Sequence, residues 1–416
     1  MSKVKTVAFI VTFVLSTIII NAQNYSDSPY SMYGYGKLAD KAFAAQRGMG
    51  GIGYGFRDNH YINPMNPASF SKVDSLTFMF DMGLTGNYAT FKDKTGSASD
   101  WNGNVDYMAF QFRLLRGLGI GVGLEPFSYV GYSYNDNTYT QSSTETDSVY
   151  VYRNFSGTGG LSKVYGALSY NFFDRLALGV KVSYMFGDNV KLKTITPAIG
   201  YSSVYADTLR SSGITYDFGL QYVQPLGSRQ TLVVGAVFSP KQEINTRIAT
   251  SELRGSVYDK NYTTTDSIFE IPMSIGIGAT YNKLNKTTLG IDALYEKWAD
   301  ARFYNVTGAL ADRLKISLGG EYIPDANSGK LFSRIRYRAG LNYTNSYIRI
   351  GGEGYKMIGA NIGFGIPMVD RRSFINLALE YSRLIPDVSS YITEQYFQLT
   401  LSYTFNQAWF LKQKIQ

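Results

Sequence analysis

The chain has no cysteine and a single histidine, His60. Without cysteine there is no disulfide framework and no N-terminal cysteine to carry a lipid. One histidine without cysteine also leaves no clustered transition-metal site, so neither a metal nor another cofactor is expected. The basic residues are dispersed, with no Lys/Arg tract that could track a nucleic acid, which excludes that partner. Beyond the first residues, no stretch is apolar for long enough to cross a membrane as a helix.

Two abundances stand against these absences. Lys3 and Lys5 precede an apolar run, Val7 to Ile20, that ends at Asn21-Ala22-Gln23. A charged start, an apolar stretch and a small residue at the cleavage point read as a secretory signal peptide over 1–22. Its removal lowers the formal charge from +8 by the two lysines, to +6. The rest is rich in tyrosine, phenylalanine and glycine, 35, 25 and 42 residues. Exported, tyrosine-rich and glycine-rich is the composition of an outer-membrane barrel. The expected location is therefore the outer membrane of a Gram-negative bacterium, with outer-membrane lipid as one partner.

The period of the chain from Ser75 onward is two. Leu76, Phe78, Phe80, Met82 and Leu84 share one parity, opposite Thr77, Asp81, Thr85 and Asn87. Phe397, Leu399, Leu401, Tyr403 and Phe405 likewise oppose Gln398, Thr400, Ser402 and Thr404. A soluble sandwich would alternate too. Here segment after segment repeats the pattern with an aromatic near its end, as lipid demands of a closed barrel. The strands read near 75–91, 105–114, 117–133, 148–171, 175–189, 213–224, 230–243, 266–282, 286–298, 313–323, 334–344, 355–367, 374–384 and 394–405. They predict an all-β fold, a transmembrane antiparallel β-barrel of about fourteen strands over 75–405. The fourth strand is expected to break near Ser156-Gly157. Long connections (92–104, 134–147, 190–212, 244–265, 299–311) alternate with short ones, placing both chain ends in the periplasm. Residues 406–416 read as a short periplasmic tail.

Residues 23–74 need a separate account. Gly48, Gly50 and Gly53 form a G-x-G-x-x-G with Asp74 downstream, the spacing of a dinucleotide fingerprint. That fingerprint needs a strand before it and a helix opening at the glycines. Pro64 and Pro67 interrupt the region instead. A barrel of this size has a lumen wider than its own side chains fill. The segment is therefore expected to fold into the lumen as a plug, with Gly48, Gly50, Gly51 and Gly53 bringing backbone close to the wall and permitting positive φ. Asn63, Pro64, Asn66, Pro67 and Ala68 would stiffen its exit into the first strand.

Arg47 to Phe70, and above all Asn66-Pro67-Ala68-Ser69 just before the first strand, resembles the hatch of the long-chain fatty-acid transporter (FadL-type) family. The resemblance implies a fourteen-stranded barrel with an N-terminal hatch that admits hydrophobic small molecules. The doubled Asn63-Pro64-Met65-Asn66-Pro67 and the entry segment SPYSMYGYGKL depart from that pattern. Relatives that hold secreted proteins are also implied, so the fold leaves the activity open.

The chemistry-bearing residues are few. His60, with Asp58 before it and Ser69 and Ser71 after, is a conceivable Ser-His-Asp set. A packing histidine is the simpler reading, so no catalytic residues and no enzyme are expected. Asp58/Asp74 and Asp292/Glu296 are carboxylate pairs without an ordered calcium loop. By parity Asp81, Asp217, Asp292, Glu296, Glu321 and Glu380 face the lumen, with Lys181, Lys315, Arg334, Arg336 and Arg338. These charges could pair with Arg47, Arg57 and Asp58 of the plug. Ile195, Pro197, Ala198, Ile199 and Tyr201 form an apolar loop cluster suited to a hydrophobic ligand. The leading functional expectation is passive uptake of fatty-acid-like molecules. The alternatives are a non-transporting scaffold for exported proteins and a hydrophilic porin.

Overall fold

The computed structural model describes residues 28–94, 96–141, 148–198, 201–255 and 257–408. The expected signal peptide, residues 409–416 and Ile199 lie outside them. A two-residue strand, β1 (Lys37–Leu38), precedes the long ones. Then follow β2 (Thr77–Lys92), β3 (Ser97–Leu115), β4 (Leu118–Gln141), β5 (Ser148–Phe172), β6 (Leu176–Pro197) and β7 (Ser203–Gly227). Next come β8 (Gln230–Ser239), β9 (Gln242–Arg254), β10 (Val257–Ile271), β11 (Ser274–Lys283) and β12 (Thr287–Glu296). The last are β13 (Arg313–Tyr322), β14 (Arg336–Asn345), β15 (Tyr355–Pro367), β16 (Phe374–Pro386) and β17 (Thr393–Ala408).

The pieces β8 and β9 both pair with β7, and β10 and β11 continue one another along them. Pro240 and Pro272 sit at the two interruptions, side by side. Proline cannot donate to a ladder, so the paired strands bend together there. Counted as continuous strands, β2 to β17 make a ring of 14 antiparallel strands. The ring closes where β17 meets β2, with Phe405 opposite Phe80. Closure leaves no free edge at the junction of β17 and β2.

The alternation sets the two faces. On β12, Leu289 and Ile291 point outward, 56% and 53% exposed, while Thr288 and Asp292 are buried inside. On β17, Leu399 and Leu401 face out and Thr400 and Ser402 face in.

Four expectations are corrected. Most of the segments read as long loops are strand: β2/β3, β4/β5, β6/β7 and β9/β10 continue as hairpin arms beyond the alternating zone. Outside lipid both faces of an arm meet water, so the apolar alternation that marks a strand disappears while the ladder goes on. The break in β5 is a local twist at Gly159 and Gly160, both at positive φ, and the strand runs through Ser156-Gly157. Arg334 is not a wall residue, because Leu331–Arg334 form a helical turn and β14 starts at Arg336. Asn406 to Ala408 belong to the wall and not to a tail, since β17 pairs to Ala408↔Thr77.

Candidate functional site

Residues 28–74 run through the lumen from one mouth to the other. Their first described residue, Ser28, donates to Glu394 at the long-loop end of β17, 2.8 Å away. The described chain thus enters at the long-loop mouth, whereas the loop alternation places this end in the periplasm. At that mouth Tyr35 stands among Phe127, Phe269, Trp298 and Phe303, ring centroids 5.1–6.3 Å apart. Its hydroxyl donates to the Glu270 carbonyl at 3.0 Å. Aromatic rings with one satisfied polar tip pack such a cap densely.

Below the cap the wall is unusual. The β3–β4 ladder stops at Met108↔Leu124, although β3 stays paired with β2 and β4 with β5. Pro126 and a bulge beside it turn β4 away from β3. The edge so released is taken by the inner segment: Lys37 pairs with Tyr129 and Leu38 with Ser128. The resulting seam is stitched by side chains. The Tyr129 hydroxyl donates to Asp106 on β3 at 2.7 Å, and Asp106 pairs with Arg47 at 2.5 Å.

The glycine stretch lies at the middle of the lumen. Ala44–Arg47 form one helical turn, after which Gly50 and Gly51 take φ of 71° and 82°. A Cβ on Gly50 would lie 2.9 Å from backbone atoms of Leu318 and Leu341. The wall answers with its own glycines: Gly319 faces Met49, Gly340 faces Gly50 and Gly363 faces Gly48. Elsewhere Gly179 and Gly219 accommodate Pro67, and Gly235 accommodates Tyr54. Backbone touches backbone on many strands, which is what the high glycine content serves. Gly53 and Tyr54 donate their N–H groups to Asp292, at 2.6 and 2.8 Å.

The two Asn-Pro pairs are built alike. Asn63 accepts from the Met65 N–H and donates to the Gly53 and Phe56 carbonyls. Asn66, extended as a residue before proline must be, accepts from Ala68 N–H and donates to Tyr54 and Leu220. Pro64 offers its carbonyl to Lys181 at 3.4 Å, and Ala68 its carbonyl to Arg57 and Ser169.

Ion pairs fasten the segment to the wall. Asp40 meets Lys315 at 2.7 Å, and Asp58 meets Arg336 at 3.2 Å. Burial alone would raise the Asp40 carboxyl, but Lys315 and Arg47 outweigh it and hold it down at about 2. The same contest, won by Arg336 and His60, lowers Asp58. Among the described residues Arg57 has no carboxylate partner. Its partners are Ala68, Ser71 and Gln221, and burial lowers it to about 10.

Most charges placed in the lumen by parity are there. Lys181 joins Glu125 and Asp217, Glu296 joins Arg313, and Glu321 joins Arg336 and Arg338. Asp81 accepts from Thr404, and Glu380 lies beside Gln398. Asp40, Asp106 and Glu125 are lumen charges that the sequence reading misses. Asp106 and Glu125 carry a readable signal, a carboxylate near an alternating stretch. Asp40 carries none. Ile195 and Pro197 lie in the β6 arm and Tyr201 is 83% exposed beside its tip. His60 binds Asp58 at 2.8 Å and meets Phe374 edge-on. Ser69 and Ser71 donate to the Asn63 and Ala68 carbonyls instead of facing the imidazole. Asp74 accepts from Asn59. Among the described residues no group of three metal-ligating side chains occurs.

Cavities complete the geometry. Against the inner segment they measure about 50, 30 and 120 Å³ and have polar side chains in their linings. On the lipid-facing side, a groove of about 1110 Å³ is lined by Leu289, Leu318, Leu341, Ile362, Leu379 and Leu399. It lies behind the wall that bends onto Met49 and Gly50. At the short-turn mouth a further cavity of about 890 Å³ has Arg57, Asp58 and His60 in its lining.

A family model described as BamG matches residues 1–416. No curated protein matches the chain in sequence. Solved structures match its fold. The toluene transporter TodX of Pseudomonas putida is 16% identical with a TM-score of 0.60, the alignment covering 89% of this chain and 99% of that one. A FadL homologue of Pseudomonas aeruginosa is 11% identical with a TM-score of 0.59, over 90% and 99%. The toluene transporter TbuX of Ralstonia pickettii is 14% identical with a TM-score of 0.56, over 88% and 98%. At these identities the likeness is one of fold.

Proposed function

The chain belongs to the BamG family, and from that premise we propose that it is a sealed outer-membrane barrel that serves as a docking partner for exported proteins. One observation carries this reading: the inner segment is in backbone contact with several wall strands, and the cavities beside it above the short-turn mouth are small, about 30–120 Å³. A conduit for hydrophobic molecules needs an apolar path through the interior. The apolar groove of this barrel lies on its outer face instead. The same filling removes the support for an open porin. Purification in mild detergent is expected to return a stoichiometric complex with another protein. Cells lacking the chain are expected to take up hydrophobic dye and fatty acid normally. A lone monomer, together with uptake that depends on it, would sink the reading.

Passive uptake of hydrophobic small molecules is the second reading, favoured by the seam between β3 and β4. There the wall lacks its ladder beside the inner segment, as a lateral entry would require. The shared fold with toluene transporters supports it. Deletion of 24–70 tests the seal that both readings share, and dye uptake separates them. The intact protein is expected to conduct almost nothing in a planar bilayer, and the deleted protein to form large channels. Dye uptake by the intact protein in proteoliposomes would favour the transporter.

A further inference from the structure

The cavity at the short-turn mouth is ringed by cations. Arg57, Lys72, Lys286, Arg334, Arg336 and Arg371 line it. Four carboxylates, Asp58, Asp174, Glu321 and Asp325, line it as well. Two of these are already engaged by cations, Asp58 and Glu321 both by Arg336. The other two are turn residues: Asp174 sits near Asn171 and Asp325 accepts the Asn327 N–H. Lys72, Lys286, Arg334 and Arg371 have no carboxylate at ion-pair distance among the described residues. Among the described residues Arg57 is bound by neutral acceptors, Ala68, Ser71 and Gln221. The short turns around the rim add Arg116, Arg175, Arg229, Lys283 and Arg372, against Asp74 and Asp370, which accept from Asn59 and Ser373. The field in the mouth is therefore positive, and walls of low dielectric concentrate it.

We propose that this mouth is a docking site for an acidic segment of a periplasmic protein. The inference rests on the docking reading above and names its partner by chemistry. The cavity volume, about 890 Å³, suits a short extended peptide. Arginines from separate elements recognise carboxylates by paired hydrogen bonds, and a cluster of them selects an acidic motif. Between the charges, Val223 and Leu284 offer apolar surface to side chains between the acids. A small dianion would use the charges and leave that surface idle. A lipid headgroup would meet the outward rim, whereas these cations line a hollow inside the ring.

The test uses the full chain in nanodiscs and a fluorescein-labelled peptide in which Glu alternates with Leu and Phe. Matched peptides carry Gln or Lys in place of Glu. The acidic peptide is expected to bind, with affinity falling as salt screens the cations. The Gln and Lys peptides, and the acidic peptide against the triple variant Lys286→Gln/Arg334→Gln/Arg371→Gln, are expected to bind at least ~10-fold more weakly. The control variant Arg210→Gln/Arg254→Gln, in the long arms at the opposite mouth, is expected to bind as the parent does. Because the triple variant could misfold, heat-modifiable mobility on gels is checked first, and the salt series on the unaltered chain stands without it. Equal affinity for all three peptides, an unaffected triple variant, or displacement by succinate as readily as by peptide overturns the site. Dye flux on the same samples separates the two failures. A sealed protein that ignores the peptide loses this mouth but keeps the docking reading. A dye-conducting parent loses the docking reading itself.

Discussion

Arg47 of the inner segment and Asp106 of β3 meet at 2.5 Å, both almost fully buried, where β3 has lost its ladder to β4. Tyr129 of β4 donates to the same carboxylate. One anion thus holds the plug, one wall strand and its separated neighbour together.

Asp106→Asn is expected to loosen that junction and leave the Arg47 charge unpaired. Removing one partner of a buried pair costs about 3–5 kcal/mol. The lower end applies, since Arg47 keeps hydrogen bonds to Ala42, Thr85 and Thr400. Proteolysis should then reach residues 28–74 faster while the barrel keeps its heat-modifiable mobility. Unchanged protection would show that the seam is held elsewhere.

Gly340→Val places side-chain atoms where Gly50 lies, and Gly50→Val adds them at a positive φ that a β-branched residue resists. Both are expected to displace the plug and raise single-channel conductance, as is Pro67→Leu at the exit turn. None of these changes removes a ladder hydrogen bond, so the ring is expected to persist. Conductance equal to the parent in all three would mean the plug yields without opening a path.

Asp40 and Asp58 make the plug's seat pH-dependent. Both carboxyls are lowered by their partners, Asp40 to about 2 from an ordinary 3.8. A lowered carboxyl contributes fully above its unfolded value and loses the contribution as pH falls toward its folded one. The seat is expected to hold down to about pH 4 and weaken toward pH 2. Hydrogen exchange in residues 36–60 across that range measures it. Release already at pH 5–6 would assign the seat to other groups.

The long hairpin arms are expected on the cell surface and the short turns in the periplasm. A tag inserted at Gln141 or Asp259 should be reachable on intact cells, and one after Gln416 should not. Surface labelling of the C-terminus would invert the molecule and place the basic mouth outside.

Much of the wall is legible in the order of residues alone. Lipid on one side and water on the other force a period of two, so Leu399/Thr400/Leu401 announces both a strand and its faces. Gly50, Gly51 and Asn66-Pro67 are legible for a related reason: each residue type restricts or frees its own backbone wherever it is placed. The upper arms are not, because water on both faces erases the alternation while leaving the hydrogen bonds. Arg334 follows the parity of its neighbours and still falls on a helical turn, since parity has meaning only once the strand has begun.

The amino-acid order is enough to require a closed barrel and a segment that must lie in it, because backbone polarity and lipid admit no other spanning sheet. The meeting of distant residues is a property of the folded ring. Asp40 pairs with Lys315, Asp106 with Arg47 and Gly340 with Gly50 across long stretches of chain, and no local pattern encodes such a pairing. Whether the inner segment fills the lumen depends on the fit of its backbone against wall glycines from separate strands, and that fit exists only after the ring has closed.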